Sequence, residues 1–177
     1  MGNLMGGRTM KTARNVMAVV LLVMILGVSG ILTYRVTKVQ GIIENYSIND
    51  DVHDSRVLIA TQKKSFKEKV LKNVESYYKE NAVYISVVDI TQLAEINHEE
   101  WDAIIIFSSI ESNGLHKEVE AFITSLKDYS RIYMVNTADR AQWDNQLIDI
   151  DSITAPSKRA NVEEVGNYII NAIKGLL

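Results

Sequence analysis

The chain predicts an α/β fold: a doubly wound, mostly parallel five-stranded sheet with helices on both faces. Three observations carry this. First, Ala103-Ile104-Ile105-Ile106-Phe107 is an unbroken apolar run rich in β-branched residues, as suits a strand covered on both faces. Second, the small polar stretch Ser108-Ser109-Ile110-Glu111-Ser112-Asn113-Gly114 follows, and then Val119, Phe122, Ile123 and Leu126 recur at i, i+3, i+4 and i+7. Strand, polar loop and amphipathic helix make half of a βαβ unit. Third, four more strand-like runs share the same stretch of about 120 residues, which fits the smaller doubly wound pattern with strand order 2-1-3-4-5.

The other elements follow in chain order. Val57-Leu58-Ile59-Ala60 is the first and central strand, and Thr61 to Ser65 a polar turn. Phe66, Val70, Val74 and Tyr77/Tyr78 mark the buried stripe of a helix ending near Asn81. Val83 to Ile90 is the second strand, and Thr91 to Glu100 a polar connection with room for a helical turn. Arg131 to Asn136 is the fourth strand, and the fifth lies within Leu147 to Ile153, where Asp149 and Asp151 interrupt the apolar residues as on an edge. Only Thr137 to Gln146 separates these two, which is short for a parallel crossover, so an antiparallel fifth strand stays open. Asn161 with Glu164 has the spacing of a capping box for a last helix, which buries Val162, Val165, Ile169, Ala172, Ile173 and Leu176.

Ahead of this domain, residues 1–14 are short and basic. Asn15 to Tyr34 is twenty residues without a charge, long enough for a membrane anchor, with a cleaved signal segment as the competing reading. Arg8, Lys11 and Arg14 precede that run and Arg35 and Lys38 follow it, a charge balance that places the domain outside the cytoplasm on a single-pass anchor. Residues 35–55 read as a stalk and linker, and 56–177 as the folded domain.

The chain has 177 residues, 47% hydrophobic and 23% charged, a globular profile. Residues 56–177 hold 14 Lys/Arg against 18 Asp/Glu with no basic stripe, which argues against nucleic acid as a partner. The absence of cysteine excludes disulfides, thiolate metal sites and a cysteine nucleophile. His53, His98 and His116 are scattered without metal-ligand spacing, and Ser108 and Ser109 lack a nucleophile elbow, so neither a metal site nor hydrolase chemistry is indicated.

The segments Val57–Thr61, WDAIIIFSSIESNGLHKEVEAFI and RIYMVN stand in the order and spacing of flavodoxin-like proteins. Ser108-Ser109-Ile110 with Gly114 and His116, and IYMVNTADR, are similar to the branch of menaquinone-linked protoporphyrinogen oxidases. The resemblance implies FMN, with Thr61, Lys63, Lys64 and Ser65 at the phosphate. It implies Ser108, Ser109, Ile110, Asn113 and Gly114 on one side of the isoalloxazine, and Asn136, Thr137 and Trp143 on the other. The first loop departs from the family pattern: Thr61-Gln62-Lys63-Lys64-Ser65-Phe66-Lys67 has no Gly, and Phe66 or Lys67 stands where a Thr opens the helix. A phosphate cradle needs convergent amides and hydroxyls, and glycine makes that turn easy. Two functions of different class follow. One is a binding or assembly module at the membrane that has lost its cofactor. The other is an FMN-dependent electron-transfer protein or oxidoreductase working with a quinone or a redox protein.

Overall fold

The computed structural model describes residues 15, 17, 20–25, 27, 29, 41–52, 54–111, 114–138 and 150–177. The chain forms two compact units, residues 1–40 and 41–177. In the first unit the described residues are helical. The expectation of a membrane-spanning helix over 15–34 is corrected: among the described residues no helix is long and apolar enough to cross a membrane. The single-pass location with an external domain is corrected with it.

Among the described residues the second unit contains six strands: β1 (Tyr46–Ile48), β2 (Arg56–Thr61), β3 (Tyr84–Asp89), β4 (Ala103–Ser109), β5 (Ile132–Ala138) and β6 (Ser152–Pro156). Their order is β1-β3-β2-β4-β5-β6. The expected five strands appear in the expected order. The count is corrected to six, because residues 46–48 of the segment read as stalk pair antiparallel with β3, Tyr46 opposite Val87 and Ile48 opposite Ile85. Every other pairing is parallel, including β5 with β6. The last strand therefore runs parallel, and it sits further along the chain than the 147–153 window, of which 147–149 lie outside the described residues.

The helices are α1 (Ser65–Tyr78), α2 (Lys117–Ser125) and α3 (Val162–Leu176). Because side chains alternate across a strand, the sheet feeds two cores. Val57, Ile59, Ile85, Val87, Ile105 and Phe107 face α1 and α3, which supply Val70, Val74, Val165, Ile169 and Ile173. Leu58, Ala60, Ile104, Ile106 and Met134 face α2 and a 3-10 turn at Ile90–Glu95, through Val119, Phe122, Ile123 and Leu93. All seven residues of β4 are buried. Truncating any of its isoleucines to alanine would cost about 2–5 kcal/mol, so β4 is the spine of the domain. The capping box is not formed: Asn161 makes no side-chain cap to α3, and its backbone sits at φ −94°, ψ 2° rather than in the extended region a capping residue uses.

Candidate functional site

Chain order reverses between β2 and β4, so the crevice at the carboxyl ends of these strands is where a doubly wound sheet takes a ligand. The distribution of buried polar side chains points to the same edge. Thr61, Gln62, Lys67, Asp89, Ser108, Ser109, Asn136 and Thr137 are all buried. All but Lys67, which sits in the first turn of α1, lie at or just after the carboxyl end of β2, β3, β4 or β5. Buried polar groups cost stability unless they are paired, and this cluster is paired in two halves.

On the β4–β5 side, Ser108 Oγ donates to Asn136 Oδ1 at 3.1 Å, and the hydroxyls of Ser109 and Thr137 meet at 2.9 Å. Ile110 is partly buried and its N–H donates to the Thr137 carbonyl at 2.8 Å. Gly114 takes φ +117°, a conformation open to glycine and strained for other residues, and closes the loop by backbone bonds with Glu111. Ser108, Ser109, Asn136 and Thr137 are thus brought together, and the buried side-chain nitrogen of Asn136 finds no partner among the described residues. His116, just ahead of α2, is held between Glu118 (2.5 Å) and Glu111 (3.5 Å). Asn113 and Trp143 lie outside the described residues.

The β2 side is different. Thr61 Oγ1 donates to the Phe107 carbonyl at 2.7 Å, so this hydroxyl is spent within the sheet. Lys63, Lys64 and Ser65 are exposed. The Lys63 backbone is bridged to Gly41, its N–H donating to the Gly41 carbonyl at 2.8 Å and its carbonyl accepting from the Gly41 N–H at 3.2 Å. Two residues on, the Ile43 N–H donates to Asp89 Oδ2 at 2.9 Å. Lys64 precedes α1 without making a side-chain cap.

Beneath this loop lies Lys67, fully buried, on the inner face of the first turn of α1. Its ammonium donates to Gln62 Oε1 and, at 3.0 Å, to the Phe107 carbonyl, and it sits 5.2 Å from the centre of the Phe107 ring. Burial pushes it well below the ordinary lysine value of 10.5. Lys64 adds to that depression and Asp89 opposes it. Asp89 also accepts from Thr91 N and Thr91 Oγ1, at 3.1 and 2.8 Å. Sequence reasoning missed Gln62, Lys67 and Asp89 as members of this cluster. The available signals were a lysine one helical turn ahead of Val70 and Leu71, and an acid ending an apolar strand.

In this arrangement the loop after β2 does not fit a flavin phosphate. Its Lys63 amide is already bonded, its first hydroxyl is turned inward, and the helix start beneath it is filled by a lysine stem.

A groove of about 620 Å³ at the opposite ends of β4 and β5 is lined by His98, Glu99, Ile104, Ser125, Lys127, Asp128, Arg131 and Ile132. None of its polar side chains is among the buried ones, and it is surface relief rather than a built site.

Strand order, parallel register and the switch point define a flavodoxin-like fold. No family model and no curated protein matches the chain. Among solved structures it is similar to oxidised flavodoxin 2 from Bacillus cereus, at 16% identity and a TM-score of 0.48, covering 70% of this chain and 100% of that one. It is similar to the flavodoxin of Streptococcus pneumonia TIGR4, at 11% identity and 0.48, covering 69% and 99%. General stress protein 14 from Treponema denticola, solved in complex with FMN, gives 10% identity and 0.42, covering 70% and 99%. Each score is below 0.5, so the fold assignment rests on the topology.

Proposed function

We propose that residues 41–177 act as a flavodoxin-fold binding or assembly module whose phosphate loop is closed and which carries no FMN in that state. The observation that carries this reading is the pair of internal contacts at the loop after β2. Lys67 fills it from below, and Gly41 occupies the Lys63 amide from outside. A dianionic phosphate must be desolvated to enter a tight site, and several convergent donors are needed to compensate. Each missing donor to a charged acceptor is worth about 1.5–3 kcal/mol, so losing two weakens binding by roughly a hundredfold or more. Purified full-length protein is therefore expected to be colourless, with flavin absorbance that does not follow the protein through gel filtration after FMN is added. A yellow protein retaining one FMN per chain would overturn this reading.

The second reading keeps FMN, whose binding the flavodoxin-like fold makes plausible, and assigns electron transfer with a redox protein or a quinone. It is favoured by the β4–β5 side, where Ser108, Ser109, Asn136, Thr137 and the Gly114 turn form a polar shelf at the switch-point edge. A cofactor there would supply the redox chemistry, and the chain's own groups would orient it. The likeness to the menaquinone-linked branch rests on IYMVNTADR and the Ser108–His116 loop alone. The absorbance experiment separates the two readings.

A further inference from the structure

His116 sits where the loop after β4 becomes α2, and each of its ring nitrogens faces a carboxylate. Nδ1 lies 2.5 Å from Glu118 Oε2, in the first turn of α2. Nε2 lies 3.5 Å from Glu111 Oε1, at the foot of the loop. The Glu111 backbone exchanges two bonds with Gly114, at 2.9 and 3.1 Å, and the neighbouring Ile110 N–H is bonded to β5. The Glu111 side chain is about half exposed, and those of His116 and Glu118 much less so.

The two arms are not equivalent. Nδ1 and Glu118 Oε2 are both shielded from water, and at 2.5 Å two lone pairs cannot face one another without a proton between them. Burial pushes the Glu118 carboxyl up, but its own backbone N–H, His116 and Lys117 outweigh this and hold it below the ordinary 4.5. Glu118 is therefore ionised at neutral pH. Nδ1 keeps its proton in either state of the ring, because the partner of one ring nitrogen sets the tautomer. The proton that comes and goes is on Nε2. With it, the imidazolium pairs with both acids; without it, a lone pair faces Glu111 and the attraction is lost.

The other charges nearby leave this arrangement intact. Lys117 lies 3.4 Å from the second oxygen of Glu118, and Glu120 is exposed. The 3-10 turn packed against α2 adds Glu95, which is exposed, and Asp89 at its start, which is engaged with Ile43 and Thr91. The ends of β4 and β5 bring no charge among the described residues. A helix N-terminus disfavours a cation, and Glu118 and Glu120 in the first turn of α2 offset that.

We propose that His116 is a pH-sensitive latch: its Nε2 proton ties Glu111, at the foot of the loop after β4, to the start of α2. Losing that proton between about pH 5 and 8, where histidine changes charge, releases Glu111 to water. Because Glu111 follows directly on Ser109 and Ile110, the latch acts at the switch-point crevice and makes the firmness of this loop depend on pH. It is independent of what the loop after β2 holds.

The test is made on the isotope-labelled full chain from about pH 5 to 8. Ring-nitrogen shifts are expected to show Nδ1 protonated at both ends of this range and Nε2 losing its proton. Exchange of the Glu111 and Gly114 amides, corrected for the intrinsic pH dependence of exchange, should quicken about two- to fivefold, the ratio an exposed ion pair is worth. The β4 ladder should not move with them. Glu111→Gln, a change at a half-exposed side chain, should abolish this response and leave Nδ1 as it was. His116→Gln should abolish it too. Equal protection of Gly114 at both ends of the range, or a response that persists in Glu111→Gln, overturns the proposal. So does a neutral ring with its proton on Nε2, because the titrating arm is then the one to Glu118. Joint quickening of Gly114 and the β4 ladder would make the pH dependence global and refute the latch as well.

Discussion

Replacing Asp89 with alanine is expected to lower the unfolding free energy of the full chain by about 2–4 kcal/mol, the scale of leaving buried hydrogen-bond donors without their charged acceptor. The carboxylate is almost fully buried and accepts from Ile43 N, Thr91 N and Thr91 Oγ1. Its loss leaves two backbone donors without their acceptor and removes the group whose charge offsets the burial of Lys67. Asp89→Asn keeps an acceptor oxygen for Thr91 and should cost about 1–2 kcal/mol, the scale of a weakened hydrogen bond. Urea unfolding measures both. An Asp89→Ala protein within 1 kcal/mol of wild type, on the roughly 1 kcal/mol scale of a typical single mutation, would mean that the carboxylate is solvated and Ile43 is held by its other contacts.

Replacing Lys67 with methionine is expected to act in the opposite direction. Methionine matches the stem in length and carries no charge, and exchanging a buried ion for an apolar residue of similar volume is often neutral or stabilising by about 1–4 kcal/mol. The Phe107 carbonyl keeps its bond from Thr61, so the main new deficit is the Gln62 oxygen. The pH dependence identifies the cause. The folded-state pKa of Lys67 lies below the ordinary value of 10.5, chiefly through burial. Between those two values the unfolded chain binds a proton that the folded chain does not, so wild-type stability rises with pH across that window. Lys67→Met lacks this slope, and its advantage should shrink as pH climbs towards 10.5. A methionine variant that is less stable at neutral pH, with an unchanged slope, would show that the ammonium is better satisfied than its burial suggests. In the double variant with Asp89→Ala, methionine should recover part of the loss, because the two side chains couple.

How legible this molecule was in its sequence depended on how far each element repeats its own pattern. β4 announces itself through five apolar residues in a row, and α3 through a stripe that recurs over four turns. β1 has only three residues, too few to display a period of two, and its first residue Tyr46, like Ile43 just before it, falls at helical spacing from Val36 and Val39. The long apolar run at 15–34 satisfied a length and composition rule for a membrane helix, yet no described helix of that length stands there. The edge strand β6 lay further along the chain than expected, since Ile153 and Ala155 are its only apolar side chains ahead of Pro156.

At the site, the family resemblance implied three loops, the third of which lies mostly outside the described residues, and the departure of Thr61–Lys67 from a phosphate-binding pattern was readable directly. What took its place was not. Lys67 looks like a surface residue in composition and becomes an internal side chain only because α1 turns it under the loop. The bridge from Gly41 to Lys63 joins residues far apart in the chain, and nothing local signals it.

The most direct test of the closed loop is to follow the backbone amide resonances of Lys63, Lys64, Ser65, Ile43 and Thr91 in the isotope-labelled full chain as FMN is added. The account predicts that these shifts stay put at FMN concentrations that saturate an ordinary flavodoxin site. It also predicts that Lys63 stays in slow exchange with solvent as a bonded amide. Saturable, localised movement of Lys63, Lys64 and Ser65 at stoichiometric FMN, with Ile43 still bonded to Asp89, would contradict it.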